Sequence, residues 1–228
     1  MNLSVIIPVD NDENTIEAII DRLDSKNVAD VIVLVDDGSV DGTRKILETI
    51  PERYPKVKVF LHERNQGKGA AVVTGIKQAS GDLMLIQDAD LEYDPRDIPA
   101  LLKPINEGMA DVVYGSRFLG GPRRSTMFWH MVANYMLTFM TNLLYDAILT
   151  DMETGYKLFR RKVVDGMKIH AKRFDFEPEF TAKILKQRVR IFEVPITFNP
   201  RDYSEGKKIG LRDAFEAVWT LLKYRFVD

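Results

Sequence analysis

Five short apolar runs, LSVIIPV (3–9), VIVLV (31–35), VKVFL (57–61), LMLIQ (83–87) and DVVYG (111–115), alternate with amphipathic stretches near 14–24, 41–50, 68–79 and 95–106. Strands that are apolar on both sides cannot face water on either, so they need helices on both faces of a mostly parallel sheet. The alternation therefore predicts an α/β architecture in which ligands gather outside the carboxyl ends of the strands. Four polar clusters fall at those ends: PVDND, VDDGS, QDAD and YGSR. A hydrophobic content of 45% in 228 residues, with 29% charged, supplies a real core for such a sheet. No repeat or Gly/Ser linker divides the chain, and the region near 120 reads as a change of role within one domain.

The clusters carry different weights. In QDADLEYDP, Asp88 and Asp90 stand at i and i+2, so in extended chain both point one way and can share a hard cation through oxygen. Asp94, just before Pro95, suits a helix cap. In VDDGSVDGT, Asp37-Gly38-Ser39 suits a turn and Asp41 a cap, or the same residues suit a ligand. NQGKGAA sets two glycines beside Lys68 at a helix start, which fits a phosphate or a tight turn; the Walker A and G-x-G-x-x-G spacings are absent. A net charge of −2 argues against nucleic acid as a partner bound by global charge, and leaves Arg123-Arg124 and Arg160-Arg161-Lys162 as local candidates for phosphate contact. Without cysteine there is neither a disulfide nor a thiolate metal site. The start, MNLSVIIPV, lacks a signal-peptide pattern, so cytoplasmic residence is the expectation.

Taken together, VIIPVDNDENTI, VDDGSVDGT, NQGKGAA, QDADLEYDP, GSRF and DMETGYKLFRR, in that order over residues 3 to about 210, resemble the family 2 glycosyltransferases of GT-A fold. More closely they resemble the polyprenyl-phosphate glycosyltransferases, the group of dolichol-phosphate mannose synthase. The resemblance implies one GT-A domain over 1–228: a nucleotide-sugar half (1–120), an acceptor half (121–210) and a C-terminal amphipathic helix (211–228). It implies that Pro8, Val9, Asp12 and Asp37 hold the nucleoside, with Lys68 near the ribose or phosphates. The D-x-D stretch Asp88-Ala89-Asp90, with Glu92, would bind the donor and Mg²⁺ or Mn²⁺. Arg117 would face the phosphates, and Lys207 and Lys208, in RDYSEGKKIG, would belong to a segment that closes over them. One departure stands at the start: relatives read P-x-Y-N-E, whereas this chain has Asp10 for the Tyr and Asp12 for the Glu.

The reaction so implied moves a hexose, with inversion, from a nucleotide sugar of GDP-mannose or UDP-glucose type to a polyprenyl or dolichyl phosphate. The alternative acceptor is a hydroxyl of a soluble sugar. A hydroxyl needs a base, which Asp151 or Glu153 could supply. A lipid phosphate, with a second pKa near ~6, is already anionic at neutral pH and needs cations instead. Arg117, Arg123, Arg124 and Lys157 are the candidates, with Asp151 orienting the acceptor or taking a proton and Asp90 and Arg117 serving the leaving diphosphate.

A stretch at 127–145 has no Asp, Glu, Lys or Arg in 19 residues. His130, Asn134, Thr138, Asn142 and Asp146 recur every four positions, leaving Leu137 and Leu144 on the apolar side. This pattern predicts an interfacial helix rather than a span. The last segment repeats the pattern with Leu211, Phe215, Val218, Trp219, Leu222 and Phe226. The protein should therefore work peripherally on the cytoplasmic face of a membrane, or rely on a partner subunit or a homo-oligomer. In FDFEPEFTAKIL, Glu177 and Glu179 suit either the acceptor side or packing.

Overall fold

The computed structural model describes residues 1–122, 124, 128–200 and 211–227. Its centre is a seven-stranded sheet in the order β3-β2-β1-β4-β6-β5-β7. The strands are β1 Leu3–Val9, β2 Val31–Asp36, β3 Val57–Leu61, β4 Leu83–Ile86, β5 Val112–Ser116, β6 Lys157–Arg160 and β7 Ile191–Pro195. All five apolar runs are strands. The β1–β2, β1–β4, β2–β3 and β5–β7 pairs are parallel, and among the described strands only β6 runs antiparallel, between β4 and β5.

Both faces are covered, as apolar strands require. Val5, Ile7 and Val9 point into one core with Ile16, Ile19, Ile20 and Leu23 of α1 (Ile16–Lys26), Leu47 and Ile50 of α2 (Thr43–Arg53), and Ile98, Leu101 and Ile105 of α4 (Ile98–Asn106). Ile6 points into the other, with Ala71 and Val72 of α3 (Lys68–Gln78), Phe176, Phe180 and Ile184 of α7 (Phe176–Lys186), and residues of α5 (Phe128–Tyr145) and α8 (Leu211–Phe226). A short helix, α6 (Arg161–Val164), follows β6. Helix α1 shows why these segments fold locally: its four buried residues fall at i, i+3, i+4 and i+7, and Asn27 ends it in the left-handed conformation. Asp94 does cap, its carboxylate accepting from Arg96 N at 2.8 Å at the turn Pro95–Asp97 that leads into α4.

The basic cluster at 160–162 lies away from the ligand edge. Because β6 is antiparallel, its end falls where the parallel strands begin. There Arg161 donates to the carbonyls of Ala79 and Gly81, Arg160 to that of Ile105, and Lys162 pairs with Asp111. These cations close the far edge of the sheet rather than meeting a donor phosphate.

Candidate active site

The loops after β1 and β2 are tied together before any ligand arrives. Asn11, at a φ of 59°, gives its N–H to Ser39 Oγ at 2.9 Å and takes Val40 N–H on Oδ1 at 2.9 Å. Asp12 takes Asp10 N–H at 2.9 Å and gives its own N–H to Thr43 Oγ1 at 3.0 Å, beside the buried Pro8 and Val9. Asp36, which sequence reasoning passed over, is fully buried and pairs with Arg44 at 2.8 Å. Asp37 is buried as well, its oxygens accepting from Gln66 N at 2.9 Å and Gly67 N at 2.6 Å, with His62 Nδ1 at 2.8 Å. It therefore fastens the loop that launches α3.

At that helix start the tight-turn reading prevails. Gly67 has a φ of +102°, and a Cβ there would lie 2.2 Å from the carbonyl oxygen of Lys172. The first-turn amides are engaged by the same segment: Gly69 N donates to Arg173 O at 3.2 Å and Ala70 N to Lys172 O at 3.0 Å. The helix end offers its side chain instead. Lys68 Nζ lies 2.9 Å from Asp88 Oδ1 and 3.1 Å from Glu177 Oε1. Burial opposes its charge, but the two carboxylates outweigh burial and hold the ammonium well above the ordinary lysine range.

Strand β4 ends at Ile86 and the chain turns at residues 89–90, so Asp88 and Asp90 do not share one extended strand. Asp90 accepts from Glu92 N at 3.1 Å in a turn where Leu91 has a φ of 64°, and Ala89 is buried between. The expected convergence of Asp88 and Asp90 rests on an extended backbone; with the turn, these two and Glu92, which the resemblance added, form no ready-made cluster of metal-binding side chains among the described residues. Gly155 closes over Asp88 from the other side, where a Cβ would stand 2.6 Å from Asp88 Oδ2. Its N–H donates to Tyr93 Oη at 3.0 Å, and Tyr93 stacks on Tyr156 with centroids 5.2 Å apart.

Arg117 follows β5 and grips Asp151 bidentately, Nε to Oδ2 and Nη2 to Oδ1, both at 2.7 Å. The Arg117 amide adds a third bond at 3.0 Å and Asn134 of α5 a fourth at 3.2 Å. Glu193 holds the backbone amides of Thr150 and Asp151 from behind. Asp151 is thus an anchor for Arg117, whose guanidinium also lies 5.2 Å from the Phe198 ring centroid. Lys157 turns inward: it is fully buried, donates to the carbonyls of Met152 and Thr154, and burial depresses its pKa. In this position it holds the 151–156 loop. Nearby, burial and the charge of Glu177 raise the Glu153 carboxyl, and its Oε1 has no hydrogen-bond partner among the described residues. Arg124 is exposed, with its N–H bonded to Phe198 O at 3.0 Å. Arg123, Lys207 and Lys208 lie outside the described residues.

Helix α5 is built inside out. The middle of its stripe points into the protein, where Asn134 meets Asp151, Thr138 Oγ1 accepts from Met152 N at 3.1 Å, and Asn142 brackets Leu149 with two bonds of 2.8 Å, while His130 is half-buried and Asp146, past the helix end, is exposed. Leu137 turns inward with the stripe and Leu144 packs against the core, so the outward side is made by Phe128, Trp129, Met136, Phe139 and Leu143. On the neighbouring α8, Phe215, Trp219 and Phe226 are likewise exposed, at 76%, 66% and 83%. No described helix is long and apolar enough to cross a membrane.

Residues 4–167 match the model of glycosyl transferase family 2. Over 231 residues the chain is 30% identical to a dolichol-phosphate mannosyltransferase of Pyrococcus furiosus, an alignment that takes in 98% of this chain and 64% of that relative's length. It is also 30% identical over 236 residues to a UDP-N-acetylglucosamine–dolichyl-phosphate N-acetylglucosaminyltransferase of Methanococcus voltae, covering 96% of this chain and 94% of the relative. Among solved structures, glucosyl-3-phosphoglycerate synthase of Mycobacterium tuberculosis, in complex with Mn²⁺, UDP and glucosyl-3-phosphoglycerate, shares the fold with a TM-score of 0.76 at 20% identity, over 100% of this chain and 81% of that one.

Proposed function

This chain belongs to glycosyl transferase family 2 and has its GT-A fold, and from that premise we propose that it transfers a hexose from a nucleoside diphosphate sugar to a polyprenyl phosphate at a membrane surface. The observation that carries the reading is the join between α5 and the Arg117–Asp151 pair. One face of that helix supplies Asn134 to Asp151, and the opposite face presents Phe139 and Leu143 outward. A site so built brings a water-borne donor and a lipid-borne acceptor together. The names of the two archaeal relatives support it, one a dolichol-phosphate mannosyltransferase and the other acting on dolichyl phosphate.

The chemistry then asks for cations. An oxygen of the lipid phosphate attacks C1 of the sugar, the bond from C1 to the diphosphate oxygen breaks with inversion, and the electron pair leaves on the diphosphate. No proton has to be removed from a phosphate that is already anionic. Asp151 accepts from four donors, which suits the task of aiming Arg117 at phosphate oxygens better than that of a base. Arg117 and Lys68 supply positive charge where negative charge accumulates. Pro8, Val9, Asp12 and Ala89 line the nucleoside side, and Asp37 acts through the loop it fastens.

A divalent cation fits the same place. Asp88, Asp90 and Glu92 are hard-oxygen donors which, though not gathered into a ready-made cluster, would hold the ion together with phosphate oxygens of the donor, and the Lys68 ammonium already stands against Asp88. When bound, Mg²⁺ or Mn²⁺ would neutralise the departing diphosphate. Several solved relatives by fold carry Mn²⁺ or Mg²⁺ with UDP. The test is a panel of labelled GDP- and UDP-sugars offered to the protein with polyprenyl phosphate in vesicles and, separately, with soluble sugars. Label should enter the lipid fraction; label appearing only on a soluble sugar hydroxyl would replace this acceptor with the alternative one.

A further inference from the structure

Lys68 sits in a place of unusual consequence. It leaves the first turn of α3 and ends on Asp88, the first carboxylate of the D-x-D pair, with Nζ 2.9 Å from Oδ1 and 3.2 Å from Oδ2. A divalent cation using Asp88 would need the same oxygens. Two positive charges crowded on one partly buried carboxylate repel strongly, because the effective dielectric there is far below that of water. One of them has to move.

The surroundings decide which. Asp88 is boxed in by Gly155, where even a methyl group would stand 2.6 Å from Oδ2 and 3.3 Å from Lys68 Nζ. Lys68 is the adaptable partner, a charge on a flexible four-carbon stem. It also has a second anchor, Glu177 Oε1 at 3.1 Å, buried in the first turn of α7. Glu177 can keep the ammonium after Asp88 is released, so the displaced lysine is never an uncompensated charge.

We propose that Lys68 is an exchangeable counter-ion: it holds Asp88 in the unliganded protein and yields it to a divalent cation that arrives with a nucleoside diphosphate, while Glu177 retains the ammonium beside the incoming phosphates. The inference rests on the donor-site reading above and adds a thermodynamic consequence to it. Metal alone must evict Lys68 without recompense and binds weakly. Metal with a diphosphate brings enough negative charge to satisfy both cations and binds tightly. By linkage, the nucleotide gains from the metal as much as the metal gains from the nucleotide.

The experiment measures free Mn²⁺ by its paramagnetic resonance signal, titrated into the wild type, Lys68→Gln and Lys68→Met with no nucleotide, with GDP and with UDP. Circular dichroism confirms that each variant is folded; Lys68→Gln keeps a hydrogen-bonding group between the carboxylates should the methionine variant fail to fold. Expected is Mn²⁺ binding without nucleotide that is about tenfold tighter in both variants than in the wild type, and a nucleotide enhancement reduced by a similar factor, within the usual range for coupled sites. Glu177→Gln should act oppositely, weakening nucleotide-dependent Mn²⁺ binding. If folded Lys68 variants bind Mn²⁺ alone no more tightly than the wild type, while the wild type still binds it with a nucleotide, the counter-ion role is overturned and the donor site stands. If the wild type takes up no Mn²⁺ with either nucleotide, the metal-assisted donor site falls and this inference with it.

Discussion

Helices α1 and α5 are both amphipathic, and they are folded opposite ways round. On α1, Ile16, Ile19, Ile20 and Leu23 are buried while Glu17, Asp21 and Lys26 meet the solvent. On α5, Asn134, Thr138 and Thr141 are buried while Phe128, Trp129, Met136, Phe139 and Leu143 face out. Periodicity finds the two faces of a helix without saying which one is inside. What decides is where the polar groups find partners, because a buried polar group left unpaired costs more than an apolar one left exposed. For α5 those partners are Asp151, Met152 and Leu149, all interior. The outward apolar face then calls for an apolar neighbour.

The contrast can be tested from the site outward. The largest effect is expected for Arg117→Lys, which keeps a charge opposite Asp151 but loses the two-pronged grip. Transfer should fall about ten- to a thousandfold with little change in melting temperature. Leu23→Ala on α1 should do the reverse, lowering stability by about 2–5 kcal/mol with the activity of the folded fraction intact. Kinetics and thermal melts on the same preparations decide it, and the contrast is broken if both substitutions change the same quantity.

A smaller effect is expected from charging the outer face of α5. Phe139→Glu with Leu143→Glu removes two exposed apolar side chains, worth roughly 1.5 kcal/mol or more each if they enter a bilayer, so vesicle flotation and transfer to polyprenyl phosphate should drop about tenfold or more. Nucleotide binding should be unchanged, and Asp21→Leu on the water-facing side of α1 should not alter flotation. High salt should weaken binding to anionic vesicles without abolishing it. Wild-type protein that never floats would remove the membrane from the picture.

The smallest concerns the far edge of the sheet, where hydrogen bonds from Arg190 and Lys162 hold the Asp111 carboxyl well below the ordinary carboxylate range. A carboxyl with a depressed folded-state pKa contributes stability above its unfolded value near ~4, and that contribution is lost as the pH falls further. Its partners are largely exposed, so about 1 kcal/mol or less is at stake. Melting temperature against pH should therefore decline below pH ~4 more steeply for the wild type than for Asp111→Asn; superimposable slopes would assign Asp111 no role.

Much of the donor half was legible because strands buried on both faces, β1, β2, β4 and β5, leave continuous apolar runs such as VIIPV and VIVLV. Strand β6 left no such mark, since KLFR begins with a lysine that is buried only through the carbonyls of Met152 and Thr154. Strand β7 was missed for another reason: it is half-exposed, and IFEVP carries Glu193, whose carboxylate holds the amides of Thr150 and Asp151. Of the site, the residue types at the strand ends were readable and their pairings were not. Arg117 was expected at a phosphate and Asp151 near the acceptor, yet their mutual grip joins positions 34 apart in sequence. Lys68 and Asp88 could not be paired either, because the turn at Leu91 and the close approach of Gly155 depend on tertiary packing.

The place of β6 also sets an order in time. It lies between β4 and β5 and hydrogen-bonds to both, although β5 is complete at Ser116 and β6 begins only at Lys157. As the chain emerges from a ribosome, the inner edges of β4 and β5 stay open until residues 157–160 arrive to fill the slot between them. Open strand edges invite pairing with other chains, so the interval of synthesis between 116 and 160 is when this protein is most exposed to misassembly. Residues 157–160 also carry in the 151–156 loop that precedes them, so filling the slot between β4 and β5 and installing the Asp151 loop are one event, with β7 joining the outer edge of β5 afterwards.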